Sequence, residues 1–387
     1  MEKRKNLKEI ALVFLKLGTF AFGGPAAHIA MMEQEIIEKR KWIDRQHFLD
    51  LIGATNLIPG PNSTEMTMHC GHERGGTLGL FVAGISFVLP AVIISGFLAY
   101  LYVEFGHLPN IKPLFVGIKP AVLAIIAGAI FKLGKKALKN WELAILGLLT
   151  VTVTLLDRMD EVTALLTAGL IGMIYFYIRS SGEATPKPKK KDPTTKKSWM
   201  PLFLFQASAG SIFTGASFKI FLTFLKVGAI LYGSGYVLFA YLDAELVENG
   251  LLTRQELLDA IAVGQFTPGP VLSTATFIGY QLNGFWGAIA ASVGIFLPSF
   301  MFVLLLNPLV PRMRKSRLMR GFLDSVNIAA VAIMISVLFQ MGQDTLVDWR
   351  TITIAAISFA VMFGFKKVNS MWIVLGGAGL GYLFYLI

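Results

Sequence analysis

Charge is scarce in this chain. Only 15% of its 387 residues are Asp, Glu, Lys or Arg, against roughly 25% in soluble domains, and the mean hydropathy is +0.63. That shortage excludes an ordinary water-soluble globule. Cysteine is nearly absent as well: the single Cys70 rules out an internal disulfide and any cysteine-rich metal or cluster site. Histidine is limited to five residues, of which His69 and His72 flank Cys70. Their spacing lacks a helical i, i+4 pair and a fourth ligand, so no metal is expected. Nothing resembles a Walker loop, which removes sequence support for ATP coupling. A redox motif, or a nucleophile with its base, is missing too, so an intramembrane enzyme is a weak alternative and no cofactor is expected.

What the chain has is long apolar runs. Thr77 to Val103 and Phe322 to Met341 each reach the roughly 17 to 25 residues that span a hydrocarbon layer, and Asp324 is their sole charge. The fold class expected is therefore an all-α membrane protein in a lipid bilayer. The net charge of +11 does not indicate a nucleic-acid partner, because the basic residues cluster between apolar runs as the positive-inside rule requires. Met1 to Ala27 has the basic start, apolar stretch and small residues of a signal peptide. Retention is expected, since the segment has a partner copy inside the chain.

That copy belongs to a repeat of the whole pattern. Phe14-Leu15-Lys16-Leu17-Gly18 returns as Phe224-Leu225-Lys226-Val227-Gly228 at an offset of 210. Glu35 then meets Glu245, Asp50 meets Asp259, and Pro59-Gly60-Pro61 meets Pro268-Gly269-Pro270. Further on, Gly76, Gly79 and Leu89-Pro90 fall on Gly284, Gly287 and Leu297-Pro298. Two homologous halves follow, at 1–179 and 199–387. Residues 180–198 between them are rich in Lys, Pro, Ser and Thr, cannot bury apolar area, and read as a basic cytoplasmic linker.

Equivalent loops carry opposite charge. Glu104 to Asn110 has no Lys or Arg, whereas its counterpart Pro311 to Arg320 has Arg312, Arg314, Lys315, Arg317 and Arg320. Glu33 to Arg45 holds four basic residues, while Asp243 to Glu256 is acidic with Arg254 alone. The halves are thus expected in inverted orientation, with the N-terminus cytoplasmic, as in many secondary transporters. Broken or re-entrant helices are expected at Gly23-Gly24-Pro25 and Pro59-Gly60-Pro61, and an extra crossing near Trp199 to Phe213 is needed to invert the second copy.

Proline at membrane depth interrupts a helix and leaves backbone groups without partners. Pro61 also suits the first position of a new helix, whose free N–H groups and positive dipole end favour an anion. Candidate binding residues around the first breaks are Gly23, Gly24, Pro25, His28, Asn56, Gly60, Pro61, Asn62, Ser63 and Thr64. Gln265, Gly269 and Ser273 are their candidates in the copy. Packing kinks are the bland alternative. Lys16 and Lys226 lie on apolar stretches and face either a substrate or, by snorkelling, the headgroups. Glu65 is a candidate for proton exchange, or is simply a paired carboxylate.

At these residues the chain resembles the chromate ion transporter family, in its long two-domain form. Phe22-Gly23-Gly24-Pro25 and Pro59-Gly60-Pro61 carry the likeness, with Pro268-Gly269-Pro270 in the copy; the second half reads Tyr232-Gly233-Ser234-Gly235 in place of the first motif. The resemblance implies chromate export across a bacterial cytoplasmic membrane, by an antiporter driven by the proton gradient or the membrane potential. Sulfate shares the charge and tetrahedral shape of chromate and is the competing substrate. A channel is the other class; a homodimer could supply the pore ring that one chain does not show.

Overall fold

The computed structural model describes residues 2–21, 24–55, 58–106, 108, 112–156, 158–180, 215–232, 235, 237–306, 316–365 and 368–386. All elements among them are helical. The first half runs α1 (Glu2–Phe20), α2 (Pro25–Met32) with a π turn (Glu33–Lys39), α3 (Arg45–Thr55), α4 (Asn62–Phe105), α5 (Lys112–Ala137), α6 (Trp141–Leu155) and α7 (Glu161–Ser180). The second half follows the same order. It comprises α8 (Gly215–Ile230), α9 (Leu238–Leu242) with a π turn (Asp243–Val247), α10 (Arg254–Phe266), α11 (Thr274–Leu306), α12 (Arg317–Thr345), α13 (Trp349–Gly364) and α14 (Ser370–Leu386). The linker at 181–198 and the segment Trp199 to Phe213 lie outside the described residues, as do Gly23 and Asn56.

Among the described residues, five helices are long and apolar enough to cross a membrane: α4, α5, α7, α11 and α12. On α4, Leu78, Phe81, Ile85, Leu89, Ile93 and Phe97 recur at three- and four-residue spacing and are all exposed. A continuous apolar stripe on the outside of a helix is what a lipid-facing surface requires.

The α4 helix folds back on itself. Gly76 has φ 63°, a conformation that suits glycine alone, and beyond it the chain reverses. A Cβ on Gly71 would overlap the Gly79 carbonyl and Ala83, and a Cβ on Gly84 would meet Met68, so the two arms lie side by side. Residues 62–75 extend about 21 Å, too short to cross the ~30 Å hydrocarbon layer, whereas residues 77–105 extend about 43 Å and suffice. The α11 helix repeats the device at Gly284, φ 56°, with Gly279 against Gly287.

Packing joins the halves closely. The α1 and α8 helices each pack on their own half's long helix, α4 or α11, whereas α5 packs on α13 and α14 of the other half and α12 on α6 and α7. At the centre α4 meets its equivalent α11. Phe81 stacks with Phe300 on the long arm of α11 at 5.7 Å, and Tyr100 packs edge-on against Tyr280 on its short arm at 6.5 Å. Since Gly279 of the short arm lies against Gly287 at the start of the long one, the long arms of α4 and α11 pass antiparallel. Close approach relies on small residues, as membrane interfaces commonly do: a Cβ on Gly117 would strike the backbone at Gly377 and Gly381.

Candidate functional site

Each Pro-Gly-Pro segment lies against the other half. The Gly60 amide donates to the Leu231 carbonyl at 2.6 Å, and the Gly269 amide donates to the Ala21 carbonyl at 3.0 Å. Ala21 and Leu231 are equivalent positions, just past the ends of α1 and α8, where carbonyls lack helical partners. Glycine is needed at both breaks because φ is 140° at Gly60 and 88° at Gly269.

The first break is rich in buried polar groups. His28 Nε2 lies 3.1 Å from the Ala21 carbonyl, which can only accept, so Nε2 carries the proton and Nδ1 accepts from the Ser63 hydroxyl at 3.2 Å. A hydrogen-bonded path therefore links Gly269, Ala21, His28 and Ser63 across the two halves. The sequence made Ser63 a donor to substrate; in this conformation its hydroxyl is committed to His28. Thr64 and Glu65 are fully buried, and Thr64 Oγ1 and both Glu65 oxygens have no hydrogen-bond partner among the described residues. Glu65 lies close to the break: a Cβ on Gly60 would overlap Glu65 Oε1 and Ser299 Oγ. Asn62 is half-buried at the head of α4.

The second break borders a polar cavity of about 10 Å³, the space of one water. Gly24, Gln265, Thr267, Gly269, Asn369 and Ser370 line it. Gly24 has φ 80° and precedes α2 with no side-chain cap, and Pro25 occupies the first turn. Gly24 thus brings the start of α2 to the side where the halves meet. Gln265 Nε2 and Ser273 Oγ are buried without partners among the described residues. Thr267 donates to the Val263 carbonyl at 2.9 Å and accepts from Ser95 at 3.3 Å.

Lys16 and Lys226 stand apart from these breaks. Lys16 lies 3.6 Å from Glu35, Lys226 pairs with Glu245, and both lysine side chains are more than half exposed, at 57% and 54%. In both halves the equivalent glutamate on the π turn holds the ammonium group. A second duplicated pair lies beside it, Arg45 with Glu33 at 2.7 Å and Arg254 with Asp243 at 2.9 Å.

Sequence reasoning missed Ser299, Thr267, Asn369 and Ser370. The first two had a signal in their place, Ser299 directly after Leu297-Pro298 and Thr267 directly before Pro268. Asn369 and Ser370 had none, because only the fold brings the start of α14 to the second break. It missed also the Tyr102 hydroxyl bonded to Asp259 at 2.8 Å with Lys119 3.6 Å from the same carboxylate. Among the described residues, no three His, Cys, Asp or Glu side chains gather as metal ligands.

The chromate transporter family model matches residues 8–173 and 218–382. The chromate transport protein of Cupriavidus metallidurans is 30% identical over 98% of this chain and 94% of its own length. The probable chromate transport protein of Synechococcus elongatus is 28% identical over 98% and 96% of the two chains, and the chromate transport protein of Pseudomonas aeruginosa 27% over 96% and 91%. No solved structure matches. A helical membrane chain with paired Pro-Gly-Pro breaks, matched along almost its whole length, thus belongs to the chromate transporter family.

Proposed function

We propose that the protein is a secondary transporter that exports chromate, or a closely related divalent oxyanion, from a site between its two halves. The observation that carries this reading is the polar cavity at Pro268-Gly269-Pro270, where Gly24, just before the start of α2, meets Gln265, Asn369 and Ser370 of the other half. Gln265 adds a side-chain donor from one half, while Gly24, Pro25, His28, Asn62, Ser63 and Thr64 belong to the other. The cavity holds one water, so the anion enters only after the halves part, which is the motion that alternating access demands. Inverted halves, at 1–179 and 199–387, supply that motion. The antiparallel passage of the equivalent helices α4 and α11 supports the inversion, and the turns at Gly76 and Gly284 support re-entrant arms that end at the breaks.

Glu65 suits the coupling proton. An ionised carboxylate beside the first break would oppose a dianion entering between the halves, so anion and proton bind together, and the cargo of dianion plus proton carries one net negative charge. This replaces the antiport expected from sequence with co-transport. An inside-negative potential of 100 mV drives that charge outward with about 2.3 kcal/mol. An opposing gradient of one pH unit costs about 1.4 kcal/mol, so the potential wins.

Proteoliposomes loaded without chromate test the scheme. An inside-positive potential should speed chromate entry, acid outside at zero potential should concentrate chromate inside above its equilibrium level, and excess sulfate should compete. Acceleration by alkali outside would mean antiport, and chemical change of the anion would mean an enzyme. Flux that never exceeds equilibrium under any gradient would overturn the transporter reading in favour of a channel.

A further inference from the structure

The arm of α4 that leaves the first break carries titratable groups that substrate binding does not use. Glu65, His69 and Glu73 recur at i, i+4 and i+8, so they stack on one helix face at about 6 Å per step. His69 is 1% exposed, and neither of its ring nitrogens has a hydrogen-bond partner among the described residues. At the outer end, His47 Nε2 on α3 lies 3.2 Å from Glu73 Oε1, with the two side chains 42% and 39% exposed. The face therefore runs from a buried carboxyl, through a buried imidazole, to an accessible pair near the turn at Gly76.

The fold does not need these groups. In the register of the matching glycine contacts, Gly71 with Gly79 and Gly279 with Gly287, the second half places Ser273, Phe277 and Gln281 on the equivalent face. None of the three ionises in the physiological range, and the buried Phe277 fills the place of His69. A buried polar atom left without a partner costs about 1–3 kcal/mol, so an unpartnered imidazole where phenylalanine packs well calls for a use.

We infer that His69, with the His47–Glu73 pair, forms a proton path between Glu65 and the surface of the protein at Gly76. The inference rests on the proposed coupling role of Glu65. A neutral imidazole accepts a proton on one nitrogen and releases one from the other, so a proton entering from the His47–Glu73 side leaves toward Glu65 with no net change in His69 beyond its tautomer. Water completes each ~6 Å step, a spacing that one hydrogen-bonded water bridges.

The other charges packed around this arm are matched among themselves. Glu9 of α1 holds Arg40 and Arg74; Glu35 holds Lys16, Lys39 and Arg40; Glu33 holds Arg45. His28 of α2 is bonded at both nitrogens, and His72 of α4 lies close enough to His69 to influence it. Among the described residues, the path is an ionisable route on this face that these ion pairs leave open.

Proteoliposomes containing the full chain test the path by comparing acid-driven chromate uptake with chromate–chromate exchange, which needs no net proton movement. His69→Phe, the residue of the second half, should slow acid-driven uptake at least about tenfold and leave exchange unchanged. The doubly exposed variant His47→Gln with Glu73→Gln should slow it in the same direction, and it keeps the test decisive if His69→Phe fails to fold. Loss of acid-driven uptake in Glu65→Gln, with wild-type rates in the His69 variant or, where that fails to fold, in the double variant, would overturn the path and spare the coupling role. Wild-type acid-driven uptake in Glu65→Gln itself would overturn both.

Discussion

The ion pairs on the two π turns are the clearest sign, at the scale of single residues, that the halves share one design. Lys16 with Glu35 and Lys226 with Glu245 occupy equivalent positions, but their loads differ. Glu35 is 8% exposed and also holds Lys39 and Arg40, whereas Glu245 holds Lys226. A half-exposed lysine gains little from its partner, about 0–1 kcal/mol, so Lys16→Gln and Lys226→Gln should both be mild and should leave the Michaelis constant for chromate unchanged. Glu35→Gln removes the shared carboxylate of three cations and should cost about 1–3 kcal/mol, lowering the melting temperature in detergent. Should Lys16→Gln alone raise the Michaelis constant several-fold, with stability intact, the lysine serves the substrate after all.

Glycine decides how closely elements approach. A Cβ on Gly18 would overlap the Phe87 carbonyl, and a Cβ on the equivalent Gly228 would overlap the Ile295 carbonyl, so α1 lies on α4, and α8 on α11, backbone to backbone. Alanine at either position should force the helices apart and cost about 1–3 kcal/mol. Gly376 on α14 has open space beyond it, and alanine there should leave stability level or raise it slightly. Thermal unfolding of the three variants in detergent checks the order; equal melting temperatures would show that the close approach contributes nothing. Much of this was legible in sequence, because the repeated Phe-Leu-Lys-x-Gly segment, the Pro-Gly-Pro triplets and the apolar runs each announce an element or its end. The reversal at Gly76 was not. The Gly75-Gly76 doublet allows a bend of any angle, and it is the φ of Gly76 with the contacts of Gly71 on Gly79 and Gly84 on Met68 that reveal two arms side by side.

The arrangement of the whole molecule places both Pro-Gly-Pro breaks where α4 and α11 cross, and it shows why the site was harder to read than the fold. Charge and hydropathy are recorded along the chain, so repeats and apolar runs can be read from it. The cavity between the halves joins residues such as Gly24 and Asn369, which have no relation in sequence. The polar triplet Asn62-Ser63-Thr64 pointed to the first break, yet the cavity lies at the second, because His28 engages Ser63 and Glu65 occupies the space beside Gly60. Orientation is the remaining consequence of the repeat. If the halves are inverted, the loop after α4 and the loop before α12 end on opposite sides of the membrane, as their opposite charge implies. In a Cys70→Ala background, a membrane-impermeant thiol reagent on intact cells should label Leu108→Cys and leave Ser316→Cys unlabelled. Ser316 caps α12 by accepting from the Met319 amide, so its replacement costs about 0.5–2 kcal/mol, which a folded control in detergent would register. Everted vesicles should reverse the pattern, with Ser316→Cys labelled and Leu108→Cys protected. Labelling of both positions from the same side would place the two loops together, and the halves would then be parallel copies with no basis for alternating access by exchange of their roles.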